Sequence, residues 1–491
     1  MLKHELRTGE EMKMSVSTGS LLIGWASSSL VPGRPALLRG MPTARVGREV
    51  RDPITVTALA LSAENSEKAI LVSADLCAID PPTMAAARAA LAELVPEFAP
   101  RFLAVNATHT HTSLSGLMGI YPQPNEDCMT PEETIAFMGG RIAKTAATAW
   151  QTRAPGAVAW GRGHAVVGHN RRIAYHSGES RMYGKTDDPE FSHVEGYEDH
   201  GVDQLFTYAP ERQLTGVVVN LACPSQCSAS TSSISADFWH ETRLEIRERL
   251  GEDLFVLPQC SAAGDQSPTL LTRKAAELRM LALREGVPPE KLDMCMARRR
   301  EIARRIAVAV EETFPLASLD IRDSVPFAHR VVELELPMLQ ISAAQNAEAK
   351  EKLVQAKHRL AACDPVADWT GYSRPYREVY RYNRVINRYQ AQSEKATQTA
   401  EVHVIKLGDV VVATNPFELF VDFGEQIKER SGAPQTFVVQ LAGYGSYVPT
   451  ERAVAGKGYG AEPVSNPVGP EGGRVLVEET LKIIQGIQEG D

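Results

Sequence analysis

The stretch AILVSADLCAIDPPTMAAARAALAELVPEFAPRFLAVNATHTHTS, residues 69–113, decides the fold class. Its opening run, 69–79, is almost continuously apolar, the pattern of a strand buried on both faces. PTMAAARAALAEL (82–94) then reads as a helix, and FLAVNAT (102–108) as a second buried strand. Strand, helix and strand in succession argue for an α/β protein. Outward from this core the alternation continues. Strand-like runs fall at 156–160, 214–223, 253–260, 331–339, 402–414 and 436–444, and helical patterns at 131–150, 236–251 and 417–430. The predicted architecture is mixed β-sheets packed with helices. Segments 269–315 and 345–395 are helical and rich in Arg and Lys, so a helical elaboration is expected over about 269–395. Residues 1–17 read as an N-terminal tail and 18–491 as a single catalytic domain. No repeat of fixed period is evident.

The 491 residues are 43% hydrophobic and 23% charged, which is ordinary globular composition and excludes disorder and a disulfide mini-scaffold. Lys plus Arg is 52 against 61 Asp plus Glu, a net charge of −9 that argues against a general nucleic-acid binder. No run reaches the roughly 18–20 apolar residues of a membrane helix. MLKHELRTGEEMKMSVSTGS has no apolar centre, so it is not read as a secretory signal. The seven cysteines have no framework spacing and read as reduced thiols. A cytoplasmic protein acting on a small molecule is expected, with no membrane or nucleic-acid partner; a homo-oligomer is left open.

Several segments carry chemistry. In Thr108-His109-Thr110-His111-Thr112-Ser113, two imidazoles two residues apart face one way on an extended chain and can serve one metal. The following Ser113 and Leu114 do not fit a His-x-His-x-Asp-His site. In SADFWHE (235–241), Asp237, His240 and Glu241 share one helix face; they bind a metal or orient a base, or Asp237 simply caps the helix. Gln259–Pro268 is a small polar turn in which Ser267 is a nucleophile or donor, or merely part of a tight turn. Glu418 opens a helical pattern, Tyr447 follows a strand, and Arg171-Arg172 lie in a loop able to hold a carboxylate or polarise a carbonyl. The Arg/Tyr interleaving of 372–389 reads as a solvated helix face or as the lining of a substrate entrance.

Taken in order, THTHTS (108–113), NR (170–171), GDQSP (264–268), PFE (416–418) and YVPTE (447–451) resemble the motifs of the neutral, non-lysosomal ceramidases. The opening TGSLLIGWASSSLVPGRPALLRG (18–40) resembles that family's first segment, and the likeness spans roughly 18–490. It implies one zinc held by two His, a Glu and a Tyr. His109, Glu418 and Tyr447 match ligands, His111 a proton-transfer or supporting position, Ser267 a catalytic serine and Arg171 an active-site arginine. The family's second zinc histidine has no counterpart in Asn220–Ser225, so His240 is expected to supply that imidazole, with Asp237 as ligand or orienting group. The family's C-terminal immunoglobulin-like domain is expected to be lacking, and no apolar membrane-docking segment is visible in these residues.

The resemblance therefore implies a zinc-dependent hydrolase cleaving an amide, or an ester or lactone, of a soluble compound rather than ceramide. Metal-activated water, with His111 moving protons and Asp237 or Glu241 as the competing candidate, is the expected chemistry. A metal-dependent isomerase or lyase on a sugar-like acid, and a non-catalytic binding protein on the same scaffold, are the alternatives.

Overall fold

The structure is a computed structural model and describes residues 17–63, 67–124 and 127–489. The expected tail lies outside the described residues, except for Ser17, which opens the first strand. The main sheet has twelve strands, and they fall into three units of the same plan. The first unit contains β1 (Ser17–Ser29), β2 (Thr55–Ala63), β3 (Lys68–Ala74), α1 (Pro81–Leu94), β4 (Leu103–Ala107) and α2 (Pro131–Gln151). The second contains β5 (Ala154–His164), β6 (Gly201–Tyr208), β7 (Leu214–Leu221), α3 (Phe238–Leu250) and β8 (Phe255–Cys260), followed by α4 (Lys274–Glu285) and α5 (Met294–Ala317). The third contains β9 (Ser324–Pro337), inserted α6 (Ala343–Ala361) and α7 (Trp369–Ala391), then β10 (Thr397–Leu407), β11 (Val410–Thr414), α8 (Val421–Arg430), β12 (Gln435–Val439) and α9 (Pro470–Gln488).

In every unit the first two pairings are antiparallel, and the third, made across a helix, is parallel. The units join through their first strands. Leu21–Ile23 of β1 pair with Ala154–Gly156 of β5, Ser17–Ser20 of β1 pair with Ser324–Phe327 of β9, and Val158 bridges Arg322.

Alternate residues along each strand explain the doubly apolar runs. On β3, Ile70 and Val72 pack outward against the first unit's helices, while Leu71 joins a central core shared by all three units. On β7, Val217 and Val219 face α3 and α5, and Val218 faces the centre. On β11, Val411 faces the α8 and α9 side, and Val412 the centre. Each such side chain contributes about 1.5–3 kcal/mol by leaving water, so both faces of a strand drive the layered arrangement. The helices are set by local signals as well. Thr130 and Glu133 form a reciprocal capping box that starts α2, with Glu133 N to Thr130 Oγ1 at 3.2 Å and Thr130 N to Glu133 Oε2 at 2.9 Å.

The pairing senses put the connections after the first, third and fourth strands at one end of each unit. These are 30–54, 75–80 and 108–130; 165–200, 222–237 and 261–273; and 338–396, 415–420 and 440–469. The ends converge: Ala107 N donates to Leu441 O at 3.2 Å, Gln440 N to Cys260 O at 3.0 Å, and Gly264 N to Leu419 O at 2.8 Å. The expected helical elaboration divides accordingly. Helices α4 and α5 belong to the second unit, α6 and α7 are an insertion in the third, and the strand between them, β9, is part of the sheet.

Candidate metal and active site

The convergent connections bring together five of the residues singled out from sequence: His109, His111, Arg171, Glu418 and Tyr447. Glu418 was expected to open a helix. Instead Glu418–Leu419 form a short strand parallel to Tyr447–Val448, with Glu418 directly opposite Tyr447, and α8 begins only at Val421. This register hydrogen-bonds the Glu418 carboxylate to the Tyr447 phenol. His109 Nε2 lies 3.1 Å from Glu418 Oε2, and its Nδ1 lies 2.6 Å from the carbonyl oxygen of Cys77. Arg171 donates to the Tyr447 hydroxyl at 3.2 Å and to Gly264 O at 2.8 Å.

The two histidines meet for a different reason from the one the spacing suggested. Strand β4 stops at Ala107, and His109 has φ 67°, in the left-handed region. Such a conformation costs a non-glycine residue on the order of 1–3 kcal/mol. Here it is held by His109 N donating to Leu76 O at 2.9 Å. The turn sets the His109 and His111 rings edge to face, 5.1 Å between centroids. His111 Nε2 faces the amide nitrogen of Gln226 at 3.0 Å, so the imidazole accepts there and carries its proton on Nδ1. Gly40, at φ 104°, lies against the His111 ring so closely that a Cβ has no room.

The electrostatics separate the two rings. Burial pushes His109 toward neutrality, but Glu418 and Cys77 outweigh it and hold the imidazole up to about 10. Both ring nitrogens of His109 face acceptors, so without a cation a proton occupies the gap to Glu418. Glu418 is itself held below the usual carboxylate range: burial opposes this, and His109 and Arg171 prevail. His111 is driven well below 6.5 by burial, then by His109 and Arg171, and stays neutral. Tyr447 is raised by burial and by Glu418, so it is a phenol rather than a phenolate.

Cys77, His109 and His111 offer ligand atoms that all lie within 4.8 Å of one another. A second donor set is His109 Nε2 with Glu418 and Tyr447. Imidazole, carboxylate and phenol oxygen suit a borderline cation such as zinc. The bond from Nδ1 to the Cys77 carbonyl is the outer hydrogen bond that fixes a ligating tautomer. That bond leaves Nε2 as the free ligating nitrogen, and Nε2 is the one that faces Glu418.

The remaining expected residues fall at different distances from this centre. Ser267 is buried on the strand Gln266–Ser267, which pairs with His169–Asn170; its Oγ accepts from Tyr183 OH at 3.3 Å and from Thr269 N at 3.1 Å. It reaches Arg171 only through Tyr183, whose hydroxyl accepts from Arg171 at 3.3 Å. Asp237 is not placed as a base. It caps α3 at φ 55°, and its oxygens accept from the backbone nitrogens of Cys227 (3.1 Å), Ser228 (2.6 Å) and Phe238 (2.8 Å). His240 is not brought to the cluster: it lines neither chamber of the site, and the charges around it are Asp52, Arg299, Arg243 and Asp75. The loop 222–226, where the resemblance called for a histidine, presents Gln226 instead, which reaches both His111 and Arg171 (3.4 Å).

A cavity of about 120 Å³ holds His109, Glu418, Cys77 and Tyr447, and one of about 540 Å³ adjoins it. Gly40, His111, Arg377, Arg381, Tyr447 and Tyr459 line both. The larger chamber also takes in Arg171, Tyr183 and Gln226. A cavity of about 730 Å³ between α4 and α5 holds none of the expected site residues. Sequence reading missed Cys77, Gln226, Tyr183 and Gly40. Their only local signal is a position just beyond a strand or in the loop that follows one. Arg377 and Arg381 lie in the segment whose entrance-lining role was one of two readings.

All seven cysteines are free thiols. No helix among the described residues is long and apolar enough to cross a membrane.

No protein-family model and no curated protein matches the chain. Solved structures do. A ceramidase complexed with C2 superposes with a TM-score of 0.65 at 15% identity, covering 96% of this chain and 75% of that one. The neutral ceramidase from Pseudomonas aeruginosa gives 0.67 at 16% identity, with the same two coverages. The mixed α/β architecture expected from the ordered motifs is therefore the one observed, and over nearly its whole described length the chain has a ceramidase-like fold.

Proposed function

We propose that this chain is a metal-dependent hydrolase that cleaves an amide bond, with an ester or lactone as a poorer fit. The observation that carries the reading is the unbroken contact series His109–Glu418–Tyr447–Arg171 at the floor of a two-chambered cavity. His109 Nε2, Glu418 and Tyr447 are the residues that would hold zinc. When bound, the ion supplies Lewis acidity toward a carbonyl oxygen and lowers the pKa of a water.

The chain's own groups do the rest. His111, neutral and 5.1 Å from His109 between ring centroids, accepts a proton at Nε2 once Gln226 gives way and returns it to the leaving nitrogen. Burial works against the charge on Arg171, but Tyr447 and Tyr183 keep the guanidinium protonated, and it offers fixed positive charge to a developing oxyanion. Ser267 acts through Tyr183, fixing the ring that flanks Arg171.

The test is metal content together with isotope incorporation. Wild-type protein carries about one zinc per chain, and turnover in ¹⁸O-water labels the new carboxylate. His109→Ala and Glu418→Ala lose both while remaining folded. Stoichiometric zinc retained in both variants, or unlabelled product of unchanged mass, rejects the reading.

A further inference from the structure

The walls of the paired cavity are unequally charged. Six arginines line them (Arg39, Arg171, Arg374, Arg377, Arg381 and Arg384) against two carboxylates, Glu378 and Glu418. This is a local excess in a chain whose net charge is −9, so it does not follow from composition. Some of these charges are spoken for. Arg39 pairs with Asp80 at 2.6 Å, Glu418 faces His109, and Glu378 is shared between Arg359 at 2.6 Å and Arg374 at 3.6 Å.

Arg377 and Arg381 are different. They stand four apart on α7, on one helix face with Arg374 and Arg384. Neither makes an ion pair among the described residues. The Nε of Arg377 is buried with no hydrogen-bond partner. What they do have is aromatic support: Arg377 lies 5.8 Å from the Tyr121 ring centroid and Arg381 lies 5.1 Å from that of Tyr459. Tyr459 in turn packs edge-on against Tyr447 at 5.6 Å. Arg377 is also among the charges that depress His111, which places it within electrostatic reach of the proposed reacting centre. Two half-buried guanidiniums, braced by rings and left without acids, present planar donor forks to the chamber. Carboxylate and phosphate match that geometry.

We propose that the mouth of the site binds an oxyanion through Arg377 and Arg381, and that the amide substrate carries a carboxylate or phosphate group seated there. That the anion belongs to a substrate rests on the hydrolase reading; that the mouth binds one does not. A neutral two-chain lipid would leave both guanidiniums buried and unmatched. The insertion α6–α7 in the third unit is thus the element that sets substrate class on a ceramidase-like floor.

The experiment is calorimetric titration of inorganic phosphate into the wild-type chain, the double variant R377Q/R381Q, His109→Ala, and Arg300→Gln. The last removes one exposed charge on α5, a helix that lines neither chamber. Wild type, His109→Ala and Arg300→Gln are expected to agree within about twofold, and the double variant to bind at least tenfold more weakly with an unchanged circular dichroism spectrum. No saturable binding to wild type, or equal binding to the double variant, overturns the proposal. A second arm compares hydrolysis of N-acyl amino acids with that of their C-terminal amides, and phosphorylated with dephosphorylated N-acyl ethanolamines. The wild-type preference for the charged member of either pair is expected to collapse in the double variant, and the pair that responds identifies the anion. A preference that survives in the double variant rejects the substrate assignment. If no amide is hydrolysed at all, the hydrolase reading fails while the phosphate titration still decides the anion site.

Discussion

Two histidine–carboxylate clusters among the described residues differ in setting: one lines the paired cavity, the other lies within the sheet between neighbouring strands. At the strand ends, His109 meets Glu418 and is held up to about 10. Inside the sheet, His329 Nε2 lies 3.0 Å from His403 Nδ1, His403 Nε2 lies 3.1 Å from Glu401, and Arg88 closes the series on Glu401 with bonds of 2.6 and 3.0 Å. There burial dominates: His329 falls to about 3, and His403 is also lowered. The groups are alike and the outcome differs in the balance: at His403 burial outweighs the bond from Glu401, and the Arg88 charge adds to the lowering, whereas at His109 Glu418 and Cys77 outweigh burial. A buried His–acid pair holds a proton that a cation can replace only where the acid prevails over burial.

The sharpest way to break this contrast is to truncate each ring. His109→Ala should remove several kcal/mol of transition-state stabilisation, about a thousandfold in turnover at 1.4 kcal/mol per decade, in a chain that stays folded. His403→Ala should spare the chemistry and cost stability instead. It orphans His329 Nε2 in the sheet, costing roughly 1–3 kcal/mol of stability, and it leaves turnover per folded molecule intact. Denaturant titration beside a turnover assay separates them. Comparable losses of activity in both variants would mean the sheet cluster takes part in the chemistry.

Gly40→Ala asks whether the open site depends on ring placement. The glycine sits at φ 104°, with its hydrogen against the His111 ring, so alanine must push His111 off Gln226. A misplacement of about 1 Å can cost about a hundredfold in rate. Metal content should stay at wild-type level, because His109, Glu418 and Tyr447 are untouched. Loss of metal along with rate would show that His111 is a ligand after all.

Much of this was legible in the chain, and the failures have physical causes. Buried strands such as 69–74 and 410–414 announce themselves because both faces are apolar. β1, β2 and β6 were not read as strands, since Ser, Thr, Gly and Gln interrupt them. The threefold plan left no period because what recurs is pairing sense, while the connection after each first strand differs: 30–54, 165–200, and 338–396 with two helices inside. His109, Glu418 and Tyr447 were visible as ordered motifs. Gln226 and Cys77 were not, because a loop residue becomes a neighbour of the site only when strand ends from different units converge. His240 misled because helical spacing shows which residues share a face, not where that face points.

The pH response sharpens the comparison further. A cation entering between His109 and Glu418 must displace the proton that the pair holds. With His109 raised from 6.5 to about 10 in the metal-free chain, the imidazole stays protonated across the neutral range. Apparent zinc affinity should therefore rise about tenfold per pH unit, 1.36 kcal/mol each, through pH 7 to 9. An unperturbed histidine would already have levelled off above its ordinary value. Competition with a chelator of known affinity, at several pH values, reads the slope. A flat profile above pH 7 would place the ion on groups other than His109.

The smallest effect belongs to Asp237, and it tests whether proximity to the site is participation in it. Its two oxygens cap α3 and hold the backbone of Cys227 and Ser228, one residue beyond the Gln226 that meets His111. Asp237→Ala should cost about 1–2 kcal/mol for the lost cap and loosen Gln226, so turnover drops by about tenfold without a change in the shape of the pH–rate profile. Asp237→Asn should recover most of both, because Asn keeps one acceptor oxygen and tolerates positive φ. If Asp237 were the base, Asn would fail as badly as Ala, and the acidic limb of the profile would vanish in both; the bonds to three backbone N–H groups instead commit both of its oxygens to holding the loop and the start of α3.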